Sequence, residues 1–180
     1  MPDDRLSQAI REAYASAPAD VVILHTLEIR HPAFVDDEGV PTAIRVVRDY
    51  VDLTAKLESS APLNPGEPVT FIALAFNLEL PPVESTPMPE IVVTLDNVSG
   101  EIMKHLDRAV QTMDPIEITY RPYLSTDLEG PQMDPPLTLT ITEVEADMLQ
   151  VRARARMMDI GNKAFPAATY SASRFPGLAR

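Results

Sequence analysis

Apolar residues recur at every second position over most of this chain, the spacing of strands with one buried face. Val21 to Arg30 opens with the run Val21-Val22-Ile23-Leu24 and then alternates Leu27 and Ile29 against Glu28 and Arg30, which predicts a strand. Ile44 to Leu57 alternates well enough for one or two more. Val69 to Leu80 is the longest β-like segment and is expected to form a central strand. Phe71, Ala73, Ala75 and Asn77 would share one face of it, and Thr70, Ile72, Leu74, Phe76, Leu78 and Leu80 the heavier apolar face. Ile91 to Leu95, Ile116 to Leu124, Leu137 to Val144 and Met148 to Met157 complete the set. In the last three, the rows Ile116/Ile118/Tyr120, Leu137/Leu139/Ile141 and Leu149/Val151/Ala153/Ala155/Met157 each line one face.

Two segments have helical spacing instead. Asp3 to Ala17 places Leu6, Ala9, Ile10, Ala13 and Tyr14 on one side, with Asp3 or Asp4 as N-cap and Pro18 as the stop. A second helix is expected from Ser99, with Glu101 in its first turn and Ile102, Met103, Leu106 and Val110 as its apolar stripe. Between the elements, Pro32 to Pro41 with Asp36-Asp37-Glu38-Gly39 reads as a loop and Asn64-Pro65-Gly66 as a turn. Pro81-Pro82 and Pro135-Pro136 mark stops. Helix, strands, helix, strands is not the alternation of a parallel α/β sheet. The expected fold is mainly β: an antiparallel β-barrel or sandwich with one packed helix, a short N-terminal helix and an extended C-terminal arm. Residues 1–158 would form the β-rich domain and 159–180 the arm.

Composition changes this picture little. The 180 residues are 45% apolar and 23% charged, ordinary proportions for one globular domain with a single core. No apolar run approaches the roughly 20 residues that span a bilayer, and the acidic start Met1-Pro2-Asp3-Asp4 is unlike a signal peptide. The chain is therefore expected to be made in the cytoplasm and to stay there until it is assembled, with no membrane span. The absence of cysteine excludes a disulfide framework, a thiolate metal site and a cysteine nucleophile. A net charge of −12 weighs against a phosphate-binding surface and keeps a subunit soluble; it would also make an acidic wall past which nucleic acid slides. Eighteen prolines against six glycines favour stiff, extended connections.

Candidate chemistry is sparse. His25, His31 and His105 lack the spacing of a zinc site, and isolated strand or helix histidines are mostly structural. Asp36-Asp37-Glu38 lacks the glycine and distal glutamate of a calcium loop. There is no nucleophile elbow, phosphate-binding loop or dinucleotide glycine motif. Glu143 and Glu145 would face the same side of a strand, as a glycosidase pair could, but paired carboxylates on a solvated face are far commoner. Neither enzymatic activity nor a metal or cofactor is expected.

Two features suggest contacts. Arg152, Arg154 and Arg156 sit at period two, so one strand presents their guanidinium groups on one face while Val151, Ala153 and Ala155 point the other way. They pair either within the chain, with Glu117 or with Glu143 and Glu145, or with carboxylates of a neighbouring subunit. Ile160 to Arg180 has almost no charge and little periodicity, yet carries Phe165-Pro166, Tyr170 and Phe175-Pro176-Gly177-Leu178. It is too apolar for a solvating tail and too irregular for a helix, so it docks on its own domain or lies as an arm on a neighbour. The candidate subunit-interface residues are Arg152, Arg154, Arg156, Phe165, Pro166, Tyr170, Phe175, Pro176 and Leu178.

Asn162 with Phe165-Pro166, Tyr170 and Phe175-Pro176-Gly177-Leu178 resembles the closing signature of a phage family long catalogued only as a domain of unknown function. The resemblance extends upstream through Gly66-Glu67-Pro68-Val69-Thr70-Phe71, the Pro89 to Asn97 strand with Leu95 and Asn97, and Pro115 to Leu124 with Tyr120-Arg121 and Tyr123-Leu124. It covers most of the chain. The same order of segments is similar to the amino-terminal part of the minor tail protein L family of lambda-like phages. That family carries a further cysteine-rich iron–sulfur region, and without cysteine this chain takes over no cluster. The resemblance implies a structural virion protein of the tail tip of a long-tailed bacteriophage. It would be an upper hub or adaptor ring, trimeric in preference to hexameric, between the distal tail protein and the central hub and tip proteins, with DNA in transient passage through the channel. The alternatives are a distal tail or tail-terminator ring and, from another class, a small cytoplasmic ligand-binding β-barrel; the aliphatic inward rows count against the last.

Overall fold

The computed structural model describes residues 6–16, 21–36, 38–79, 90–96, 104–105, 108–109, 112, 114–147 and 150–157. Period-two alternation yields strands β1 (Ile23–Val35), β2 (Pro41–Val47), β3 (Leu53–Lys56), β4 (Pro68–Ala73), β5 (Phe76–Glu79), β6 (Glu90–Asp96), β7 (Glu117–Leu124), β8 (Leu137–Ala146) and β9 (Gln150–Met157), preceded by helix α1 (Gln8–Ser16). The fold is mainly β, as expected. The strands form one open sheet in the order β3-β4-β2-β1-β7-β8-β9-β6-β5. Its pairings are antiparallel except for a short parallel contact between β2 and β4, Val46↔Ile72 and Val47↔Ala73.

This sheet curls around one core. Leu27 and Ile29 of β1, Ile44 and Val46 of β2, Phe76 of β5, Val93 of β6, Ile118 of β7, Leu139 of β8 and Val151 of β9 belong to a single buried cluster. β2 and β5 are far apart in strand order yet share that cluster, so the sheet wraps back toward itself in barrel fashion. The seam is crossed by the chain itself: Leu74 N–H donates to Val47 O and Asp96 N–H to Ala75 O.

Several elements depart from the alternation. Helix α1 starts at Gln8, capped by Ser7, whose Oγ accepts from Ile10 N–H at 3.3 Å, and Leu6 forms a bridge with Met133 instead of entering the helix. The expected caps Asp3 and Asp4 lie outside the described residues. β1 continues through His31-Pro32 to Val35, where a loop was expected. Its register with β2 shifts between Arg30 and Val35, and that irregularity accommodates Pro32, which has no N–H to donate. The turn is confined to Asp36–Val40, where Asp36 Oδ1 accepts from Glu38 and Val40 N–H and Gly39 has a φ of 80°.

The segment from Val69 to Leu80 is not one central strand. It divides into β4, which pairs with β3 and β2, and β5, which pairs with β6 at the end of the strand order. Val69 and Phe71 are buried in β4 while Thr70 and Ile72 face out; in β5 the buried residue is Phe76. The inward phase slips at Leu74-Ala75, where the chain leaves one group of strands for another, so the heavier face read across the segment does not exist as one row. The helix expected from Ser99 lies largely outside the described residues, its stripe Ile102, Met103, Leu106 and Val110 included. Lys104, His105, Arg108 and Ala109 are helical, and Ala109 joins the core. Pro81-Pro82 and Ile160 to Arg180 also lie outside the described residues. Among those described, no helix is long and apolar enough to cross a membrane.

Candidate functional site

Strand geometry places Thr26, Glu28 and Arg30 of β1 on the face opposite the core row Leu27 and Ile29. Antiparallel register sets Glu28 between Arg45 of β2 and Thr119 of β7, Arg30 opposite Glu117, and Thr26 opposite Arg121. This is a charged face, but it is not solvated. The hairpin formed by β3 and β4 folds over it, and Ala55, Leu57, Ala61, Val69 and Phe71 pack with Leu24, Val47 and Tyr123 in a second buried cluster. The hairpin loop makes the expected turn: Glu67 N–H donates to Asn64 O, and Gly66 takes the positive φ, 69°, that the turn requires.

Glu28 and Arg121 are both 0% exposed. Burying charges is costly unless each is paired and hydrogen-bonded, and here the pairing is dense. Arg121 donates through Nε and Nη2 to the two carboxylate oxygens of Glu58, at 2.7 and 2.8 Å, a bidentate fork. Its Nη1 lies 3.2 Å from Glu28 Oε1. Glu28 Oε2 accepts from Arg45 Nε at 2.8 Å, and Arg45 Nη2 donates to Asn64 Oδ1 at 2.9 Å. Arg30 completes the group, its Nη1 3.7 Å from Glu28 Oε1 and its Nη2 donating to Glu117 Oε2 at 2.9 Å. Arginines 30, 45 and 121 against glutamates 28, 58 and 117 bring the formal charge to zero.

Burial alone would raise the pKa of Glu58, but the hydrogen bonds and positive charge of Arg121 outweigh it and hold the carboxyl below its usual range. Burial likewise opposes the charge on Arg121, and Glu58 and Glu28 overcome it, so Arg121 stays protonated. Burial pushes the Tyr123 phenol up, and its hydroxyl donates to Lys56 O at 3.0 Å. Such an arrangement holds strands together. A one-residue slip of β1 would turn Glu28 and Arg30 into the apolar core, so the network fixes register.

The expected arginine row is placed as read. Arg152, Arg154 and Arg156 are exposed and Val151, Ala153 and Ala155 buried. Register sets Arg152 opposite Glu145 and Arg154 opposite Glu143, with Arg154 Nε 3.4 Å from Glu143 Oε2. Glu117, also considered as a partner, turns to Arg30. Phe165, Pro166, Tyr170, Phe175, Pro176 and Leu178 lie outside the described residues. The histidines have structural partners: His25 Nδ1 is 2.8 Å from Tyr120 Oη, His31 Nδ1 accepts from Ala33 N–H, and His105 tilts against Phe34. No group of metal-ligating side chains converges among the described residues.

The buried network itself was not legible as a site. Its only local signal is charge at period two in segments otherwise read as core strands, namely Glu28/Arg30, Arg45 and Glu117/Arg121. The family model of a domain of unknown function, DUF1833, matches residues 9–170. The chain belongs to the DUF1833 family. That span takes in every member of the network and all the strands of this DUF1833 fold. No curated protein matches the chain.

Proposed function

We propose that this DUF1833 chain is a structural virion protein of the tail tip of a long-tailed bacteriophage, an upper hub or adaptor ring between the distal tail and the central tip. The observation that carries this reading is the exposed row of Arg152, Arg154 and Arg156 on the outer face of β9. Register sets Arg152 and Arg154 beside Glu145 and Glu143 of β8, and Arg156 beside Thr140. A closed ring needs two different surfaces that match each other, and exposed arginine forks suit a neighbour's carboxylates. A chain of net charge −12 offers such carboxylates and would line a channel with the sign that lets DNA pass. Of the segments resembling tail-tip proteins, Gly66 to Phe71 falls on the β3–β4 hairpin and Pro115 to Leu124 on β7, which build the network and its cover, a third holds β6 of the main core, and the closing one lies outside the described residues. A threefold ring is preferred over the sixfold ring of a distal tail or terminator protein, and particle symmetry separates the two.

Electron microscopy of tails assembled with the R152E/R154E/R156E variant tests the reading. The variant is expected to fold and remain soluble but to be missing from the tail tip. Incorporation at the wild-type level would refute the interface, and a wild-type chain absent from virions would refute the function.

A further inference from the structure

The β3–β4 hairpin enters and leaves the sheet at one place. β2 ends at Val47, and the chain returns at Leu74, whose N–H donates to Val47 O at 3.0 Å. Everything between, residues 48–73, is a single excursion. Its backbone bonds to the remaining sheet are few: the Val46↔Ile72 and Val47↔Ala73 bridge and Arg48 N–H to His25 O at the root, and Lys56 N–H to Leu128 O. The entry turn over 48–52 is exposed, Tyr50 fully so, and the exit at Leu74-Ala75 is where the inward phase slips. Along its seam, a cavity of about 330 Å³ separates Pro62 and Leu63 of the hairpin loop from Pro32 and Pro115.

What the hairpin brings to the sheet is specific. Without Glu58, the face beneath carries Arg30, Arg45 and Arg121 against Glu28 and Glu117, one positive charge in excess. It also leaves Leu24, Val47 and Tyr123 without the cover of Leu57, Val69 and Phe71. An opened hairpin therefore uncovers a carboxylate receptor inside an apolar patch. A second copy of the chain carries a segment that matches both, in charge and in shape, which makes exchange between copies cheaper than opening alone.

We propose that the β3–β4 hairpin is an exchangeable element, hinged at Val47 and Leu74, that docks on a second copy so that Glu58 of one chain closes on Arg121 of the other. This does not rest on the tail-tip reading. The chain has no cysteine, and Lys56 and Glu129 form an exposed pair, Nζ to Oε2 3.6 Å, between the hairpin and the sheet side. Single variants K56C and E129C, mixed and oxidised, report the exchange directly. Only exchange puts position 56 of one chain beside position 129 of another, so K56C–E129C heterodimers are expected several-fold in excess of either homodimer. Heterodimers no more abundant, relative to the homodimers, than random coupling of the two variants gives overturn the proposal. Coexpressing E58R with R121E gives a second readout. Each alone sets like charges at the lock, whereas exchange pairs opposite charges at both sites, so a soluble folded oligomer is expected only from the mixture. Failure to recover it overturns Glu58–Arg121 as the lock in exchange.

Discussion

Arg121 is the residue on which the outer face depends, since it joins Glu58 of the hairpin to Glu28 of the central strand. Replacing it by methionine keeps most of its volume but takes from Glu58 the guanidinium that holds both its oxygens and leaves Glu28 to Arg45 and Arg30, and breaking a buried pair in this way costs about 3–5 kcal/mol. Urea unfolding of R121M should show that loss. Glu58 gives the network a pH dependence. Its folded pKa lies below the unfolded value of 4.5, so the stability it contributes is present above that pH and lost as pH falls through the folded value. His25 acts in the same direction higher up: burial, then Arg48, lower its pKa from 6.5, so below that pH protonation favours the unfolded chain. Calorimetry should find Tm falling in acid, with E58Q flattening the decline below about 4.5 and H25Q the decline below about 6.5.

At the scale of elements, β4 and β5 separate what alternation can specify from what it cannot. Leu74 and Ala75 are both apolar, so no polar residue marks the slip of phase between them. The slip follows from β4 pairing with β3 while β5 pairs with β6, a matter of distant partners. Phe71 is buried and Ile72 is 53% exposed, the reverse of what one continuous strand implies. F71A is therefore expected to cost about 3–5 kcal/mol, and I72K to change stability by no more than about 0.5 kcal/mol. Chemical denaturation of the two variants checks this, and the opposite order would restore the single strand. Where neighbours are simple the alternation held: β7 to β9 bury Ile118, Leu139 and Val151 as expected.

For the whole molecule, the proposed ring contact and the terminal arm make separable predictions. R152E/R154E/R156E alters only exposed positions, where a surface ion pair such as Arg154–Glu143 is worth about 0–1 kcal/mol, so its Tm should stay near that of the wild type while assembly fails. Deleting residues 164–180 is expected to leave the circular dichroism of the β domain unchanged and to block tail completion; normal infectious particles would remove the arm from the interface. Period two by itself determined that the chain is mainly β, and that Val151, Ala153 and Ala155 point in while the three arginines point out, because alternation is a local property of an extended backbone. It did not determine whether Glu28 and Arg121 meet water. The same alternation serves a face in solvent and a face beneath a hairpin, and only the closing of residues 48–73 over β1, β2 and β7 buries these charges. Their pairing is a contact between distant parts of the chain, so tertiary structure alone decided it.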